Sequence, residues 1–220
     1  MTNIKDWSLY LVTDRNLSMG RSLIEICQAA IKGGVSVIQL REKNLDSRTF
    51  LKEGLALNDL LAGNSIPFII NDRIDIALAL DADGVHLGQS DIPLQVARKI
   101  LGQEKIIGWS IDYPEQILSD EAPLADYLAI GPIFHTGTKT DAAQPWGLHG
   151  MNTARSMTDK PLVAIGGINE NNLAQVIGSG ADSAAVVSAI VGAEDVESAT
   201  RNLLNNVIDS KRLFHKKIGS

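Results

Sequence analysis

Ile69-Ile70-Asn71-Asp72 and Val85-His86-Leu87-Gly88-Gln89-Ser90-Asp91 each open as a short apolar run and close on polar residues that include a carboxylate. Such runs read as buried strands, and their polar ends as strand-to-helix loops. Neighbouring parallel strands lie about 4.8 Å apart. Two such strands side by side would release Asp72 and Asp91 at the same edge of the sheet, close enough to share one cation. Magnesium is typically held by one or two carboxylates, with phosphate oxygens and water completing the shell.

The same strand-then-helix cycle recurs on both sides of this stretch. Upstream, strands are predicted at 9–12, 35–40 and 67–70. Ser22 and Glu25 have capping-box spacing, ahead of a helical stripe of Leu23, Cys27, Ala30 and Ile31, and Gly33-Gly34 stops that helix. Asp46 can cap the next helix, with Phe50, Gly54, Leu57 and Leu61 facing inward. Downstream, strands are predicted at 84–87, 105–110, 127–130, 162–165 and 183–187. Helices fall near 73–80, from Pro93 to about 101, after Pro114, after Gly147, from Asn169 and after Asp195. A long polar loop, 131–146, follows the sixth strand, and a polar tail begins at about 210. Alternation of this kind implies parallel strands with crossover helices. Eight units with no shift in composition predict one domain over residues 1–220, an α/β (β/α)8 TIM barrel of parallel strands. A doubly wound open sheet ranks lower, because eight regular units with short loops exceed what most open sheets need.

With 220 residues, 45% apolar and 21% charged, the composition is that of a soluble globular protein. A net charge of −6 argues against nucleic acid and anionic membrane as partners. An anionic substrate therefore needs a local basic cluster or a metal. Cys27 is the only cysteine, so no intramolecular disulfide forms. The N-terminus lacks the apolar core of a signal peptide, and no run is long enough to span a bilayer. A cytoplasmic setting is expected, and a homo-oligomer is possible.

In a barrel, function sits where the strands end. Gln39, Arg41 and Lys43 alternate and would project to one side. Two cations and an amide there suit a polyanion, although a solvated loop with Glu42 pairing one cation would look similar. Asn71, Asp72, Ser90 and Asp91 could each cap a helix. Two carboxylates at adjacent strand ends beside Arg41 and Lys43 favour a metal–phosphate site. His86, flanked by Val85 and Leu87, reads as a hydrogen-bonded structural histidine. His135, His149 and His215 have no metal-ligand spacing, so zinc is not expected. Ser110 ends the fifth strand and reads as a substrate contact or a turn residue. In the sixth loop, Thr136, Gly137, Thr138 and Lys139 can surround an oxyanion, and a long loop in a compact domain is often functional. Ala164-Ile165-Gly166-Gly167 and Val187-Ser188 end the last two strands, where barrels bind phosphate through backbone N–H groups. That pattern indicates phosphate and not a reaction.

Together these motifs resemble the thiamine-phosphate synthase (thiamine-phosphate pyrophosphorylase) family over nearly the whole chain. The specific parts are Gln39-Leu40-Arg41-Glu42-Lys43, Asn71-Asp72, His86 to Asp91, Gly131-Pro132-Ile133-Phe134 with Thr136-Gly137-Thr138-Lys139, and Ala164 to Ile168. The resemblance implies a transferase that couples hydroxymethylpyrimidine diphosphate to a thiazole phosphate, releasing diphosphate and giving thiamine phosphate. It implies that Gln39, Arg41, Lys43, Asn71, Ser110 and Lys139 hold the pyrimidine diphosphate, with Arg41, Lys43, Ser110 and Lys139 serving catalysis. Asp72 and Asp91 would bind Mg2+. Thr136, Gly137, Thr138, Gly167, Val187 and Ser188 would hold the thiazole phosphate. The chemistry implied is a dissociative displacement without a protein nucleophile, so catalysis rests on positioning and on neutralising the leaving group. Trp109 and Gln144-Pro145-Trp146 depart from the family pattern. A thiazole tautomerase on the same barrel and a non-catalytic phosphometabolite sensor are the alternatives. The tautomerase needs no diphosphate-bound metal, and its members lose the Asn-Asp pair, the second aspartate and the Thr-x-Thr-Lys loop that this chain keeps; the sensor would not need the cations and carboxylates of the first half.

Overall fold

Eight parallel strands close into a barrel in sequence order, as the alternating pattern predicts. The computed structural model describes residues 4–137 and 144–218. The strands are β1 (Leu9–Val12), β2 (Val37–Leu40), β3 (Phe68–Asn71), β4 (Gly84–Leu87), β5 (Ile106–Ile111), β6 (Tyr127–Ile130), β7 (Leu162–Ile165) and β8 (Ser183–Val186). The barrel is completed where β1 pairs with both β2 and β8. Between the strands run α1 (Leu23–Gly33), α2 (Ser47–Leu61), α3 (Ile74–Ala79), α4 (Leu94–Leu101), α5 (Pro114–Ile117), α6 (Gly147–Met157) and α7 (Leu173–Gly178), and α8 (Ser188–Val191) and α9 (Val196–Ile218) follow β8.

The strands read as unbroken apolar runs because both of their faces are buried. Alternate residues point into the barrel and out toward the helices. Tyr10, Val12, Val37, Ile69, Tyr127, Ala129, Val163 and Ala185 pack with Trp7 as the inner cluster. The intervening residues, such as Leu9, Leu11, Ile38, Leu40 and Ile70, belong to the layer beneath the helices. Trp109 lies in that outer layer, 3% exposed, so this departure from the family pattern alters helix packing and leaves the barrel interior alone. Gly108 matters for a different reason. A Cβ there would lie 2.0 Å from Cζ of Tyr127, so only glycine leaves room for that ring inside.

Local signals set the helix ends. The Ser22 hydroxyl accepts from the Glu25 amide at 3.2 Å, and the Glu25 carboxylate accepts from the Ser22 amide at 2.8 Å. Gly34, at φ 94°, ends α1. Asp46 caps α2 through the Thr49 amide at 3.0 Å, and Phe50, Gly54, Leu57 and Leu61 form the buried stripe of that helix.

Two expectations need correction. Asn169 does not open a helix: its amide donates to the Asn172 side chain at 2.9 Å, and this turn delays α7 until Leu173. The residues from about 210 are not a polar tail but the last turns of α9, which continues to Ile218. Leu203 and Val207 bury the inner face of α9, and the Lys211 ammonium donates to the Trp7 carbonyl at 3.0 Å. Those contacts hold a helix that its polar composition alone does not announce. Among the described residues, no helix is long and apolar enough to cross a membrane.

Candidate active site

Register places the polar strand ends at one mouth. Gln39 sits level with Ile69, and Asn71 level with His86, so the carboxy-terminal ends of β2, β3 and β4 rise together. A cavity of ≈ 380 Å³ opens there. Gln39, Arg41, Lys43, Asn71, Asp72 and Asp91 line one side. Ser110 and Thr136 line it as well, and Gly167, Val187 and Ser188 line the opposite side. Gly137 is exposed and is not part of the lining. Thr138 and Lys139 lie outside the described residues.

The cations of the first half are each set against a carboxylate. Arg41 is anchored by its amide on the Thr13 hydroxyl at 3.0 Å, and its guanidinium lies 3.4 Å from Asp14. Lys43 donates to Asp72 at 2.5 Å. Glu42 pairs instead with Arg15 at 3.1 Å, so it neutralises neither Arg41 nor Lys43. Asn71 brings a buried amide nitrogen that has no hydrogen-bond partner among the described residues. A buried donor without a partner is costly, and this one belongs to a cavity-lining side chain.

Asp72 adopts φ 62°, a left-handed conformation uncommon outside glycine and tolerated best by Asn and Asp. Its amide donates to the His86 carbonyl at 2.9 Å, which fixes the bend directly at the end of β3. The Asp91 carboxylate accepts from the Gly88 amide at 2.6 Å. Burial raises the pKa of Asp91, and the neighbouring Asp72 carboxyl raises it further, against the lowering effect of the Gly88 N–H. Two acidic groups crowded this way are a place where a cation would relieve both desolvation and repulsion. Among the described residues, no three His, Cys, Asp or Glu side chains gather into a metal-binding group. Asp72 and Asp91 offer two hard oxygen ligands, a pair that would suit a magnesium ion keeping water and phosphate in its shell.

Across the mouth, the backbone at the end of β7 lines the cavity. The carbonyls of Ile165 and Gly166 accept from the amides of Ile133 and Phe134 at 2.8 and 3.1 Å. The Gly167 carbonyl accepts from the Asn172 side chain at 2.9 Å. In a planar trans peptide the N–H points opposite to the C=O, so the amides of Gly166, Gly167 and Ile168 face away from those partners. All three residues line the cavity. Gly166 and Gly167 have φ of 101° and 67°, and a Cβ on Gly167 would lie 2.8 Å from the His135 carbonyl oxygen. Successive N–H groups aimed one way bind phosphate.

Sequence reasoning missed the floor of this cavity. Tyr10 and Tyr127 line it and pass in the sequence for ordinary core aromatics. His86 is hydrogen-bonded, as expected, through Tyr127 at 2.9 Å and Ser110 at 2.9 Å, yet it is also part of the lining. The signal that could have found Tyr127 is a glycine, Gly108, in the middle of a neighbouring strand.

The geometry agrees with the comparisons. A model of the thiamine monophosphate synthase family matches residues 9–190. The thiamine-phosphate synthase of Syntrophomonas wolfei is 53% identical over 198 residues, covering 90% of this chain and 95% of that protein. Its counterpart in Chloroflexus aurantiacus is 49% identical over 203 residues, covering 92% and 94%. Among solved structures, the thiamine phosphate pyrophosphorylase of Pyrococcus furiosus superposes with a TM-score of 0.86 at 39% identity, covering 94% of this chain and 98% of that one. The barrel, its mouth and these matches place the chain in the thiamine monophosphate synthase family.

Proposed function

We propose that the protein is a thiamine-phosphate synthase, a transferase that joins hydroxymethylpyrimidine diphosphate to thiazole phosphate with release of diphosphate. The observation that carries this reading is the arrangement of the mouth. Paired carboxylates with Arg41 and Lys43 stand on one side, and a backbone phosphate cradle stands on the other. Two anion sites facing one cavity suit two phosphorylated substrates.

In this reading Arg41, Lys43 and the orphan amide of Asn71 take the diphosphate, with Lys139 of the sixth loop as a further cation. Gln39 and Ser110 hold the pyrimidine ring. Thr136, Gly167, Val187 and Ser188 hold the thiazole phosphate, with Gly137 and Thr138 assigned there by the family motif alone. Asp72 and Asp91 would hold Mg2+, whose charge, when bound, offsets that of the leaving diphosphate. The bond broken joins the pyrimidine methylene to the diphosphate oxygen. The bond formed joins that methylene to the thiazole nitrogen. The nitrogen supplies the electron pair and diphosphate departs with the other, so no protein nucleophile enters. The residues act by aligning the two substrates and by stabilising charge as it develops on the leaving group. The reading fits a cytoplasmic enzyme, where Cys27 stays a buried free thiol.

The test is a coupling assay with both substrates, in magnesium or in excess chelator, with thiamine phosphate followed by mass spectrometry. Magnesium-dependent product is expected. A folded protein that binds thiazole phosphate but makes no product in either condition would overturn the reading in favour of the tautomerase or the sensor.

A further inference from the structure

The loop between β1 and α1, residues 13–22, lines no part of the cavity, yet it grips both sides of the mouth. At its start the Thr13 hydroxyl accepts from the Arg41 amide at 3.0 Å, on the side of the paired carboxylates. Near its end Arg21 reaches across the seam where β1 pairs with β8 and takes hold of the segment that follows β8. Its Nη2 donates to the Val191 carbonyl at 2.8 Å. Its Nη1 donates to the Ala193 carbonyl at 2.7 Å and to the Glu194 carbonyl at 3.4 Å. A fourth bond ties the side chain to its own loop: Nε donates to the Ser18 carbonyl at 3.0 Å, which also accepts the Arg21 amide at 3.1 Å.

The grip is passed directly to the phosphate side. Val191, whose carbonyl Arg21 holds, donates its amide to the Val187 carbonyl at 2.8 Å, and Gly192 donates to the Ser188 carbonyl at 2.9 Å. The fit is close, since a Cβ on Gly192 would lie 2.9 Å from that Ser188 oxygen. In a planar trans peptide the N–H points opposite to the C=O. Carbonyls of Val187 and Ser188 fixed toward residues 191 and 192 therefore aim the next two amides, those of Ser188 and Ala189, the other way. Val187 and Ser188 line the cavity. The α8 segment cannot hold this aim unaided. It is a single turn of four residues, most of whose backbone groups have no partner within the helix, and one turn alone is unstable. A guanidinium suits the task, because its rigid fork of five donors can bind several carbonyls at once.

We propose that Arg21 is a positioning residue for the thiazole phosphate: by holding the carbonyls after α8 it keeps the Val187 and Ser188 peptides aimed for that anion. The proposal rests on the functional reading above, which assigns Val187 and Ser188 to the thiazole phosphate. It sets the two substrates apart, because the opposite side of the mouth is anchored separately, through Thr13.

Two measurements on Arg21→Lys test this. The substitution keeps the charge and the alkyl stem and removes the fork. The first measurement needs no substrate. Hydrogen exchange at the Val191 and Gly192 amides is expected to quicken about tenfold, with exchange in β3 and β4 unchanged. Unchanged rates at Val191 and Gly192, or an equal quickening throughout the barrel, would overturn the clamp whatever reaction the protein performs. The second is separate titration of thiazole phosphate and of hydroxymethylpyrimidine diphosphate into wild type and variant. The Kd for thiazole phosphate is expected to rise about tenfold and that for the pyrimidine to stay within about twofold. An unchanged thiazole phosphate affinity, or an equal loss for both ligands, would overturn the positioning role. A wild type that bound neither ligand would defeat the functional reading instead, and the exchange rates would still decide the clamp.

Discussion

Gly108→Ala is the smallest change that reaches the floor of the site. The added Cβ would stand 2.0 Å from Cζ and 2.2 Å from Oη of Tyr127, where carbon atoms prefer about 3.5–4.0 Å. The ring must retreat, but Trp7 and Tyr10 bound it on the other sides. Overpacking of this kind costs about 1–3 kcal/mol. The retreat also pulls the Tyr127 hydroxyl from Tyr10 and His86, at about 1 kcal/mol for each hydrogen bond. The sum is about 3–5 kcal/mol, and at roughly 2–4 °C per kcal/mol for a chain of this size Tm should fall by about 10 °C. Urea and thermal unfolding followed by circular dichroism measure it. The control is the same substitution in a Tyr127→Ala background, where the Cβ has space and the cost should drop below about 1 kcal/mol. Equal losses in both backgrounds would refute the argument that Gly108 exists to admit the Tyr127 ring.

The remaining expectations concern the site and one buried group. Asp72→Asn and Asp91→Asn should each lower turnover about a hundredfold while remaining folded: asparagine tolerates φ 62°, and losing the half-exposed Lys43 pair costs at most about 1 kcal/mol. Full activity in either variant removes that residue from the metal site. Gly167→Ala, strained at φ 67° and crowded by the His135 carbonyl, should weaken thiazole phosphate about tenfold and pyrimidine diphosphate little; titrations giving the reverse order would invert the assignment of the two sides. Burial pushes the Cys27 thiol up to about 12 from 9.0. Its folded pKa exceeds the unfolded value, so its contribution is intact below pH 9 and is lost as pH rises toward 12, at up to about 1.4 kcal/mol per pH unit. Wild type should therefore lose stability faster than Cys27→Ala above pH 9, and parallel pH profiles would contradict this.

Much of the barrel was legible because its strands are buried on both faces. Leu9–Val12, Tyr127–Ile130 and Leu162–Ile165 match their predicted bounds, and the four inward residues of α2 follow from helical spacing alone. The misses have physical causes. Asn169 mimics a helix cap while its backbone serves a turn. The end of α9 is polar in sequence and is retained by contacts with distant elements such as Trp7. In the site, Asp72 and Asp91 stood out because a carboxylate after an apolar run is unusual, and Arg41 and Lys43 stood out by alternation. Tyr10 and Tyr127 did not, because an aromatic residue in a strand is what a core predicts. Their meaning comes from a hydrogen bond between residues 117 positions apart, and no local pattern encodes that.

The mouth also shows how a chain of net charge −6 could accommodate two anionic substrates. Its cations are not bare. Arg41 faces Asp14 at 3.4 Å and Lys43 faces Asp72 at 2.5 Å, so the resting mouth carries paired charges that do not repel one another. Asp91 adds a carboxylate that burial and Asp72 make reluctant to ionise. A divalent cation at Asp72 and Asp91 would compete with Lys43 for Asp72, and a diphosphate would compete with Asp72 for Lys43. Each newcomer frees the partner that the other needs. Cation and diphosphate would therefore favour each other's binding through the Lys43–Asp72 ion pair, and by linkage the coupling would be reciprocal.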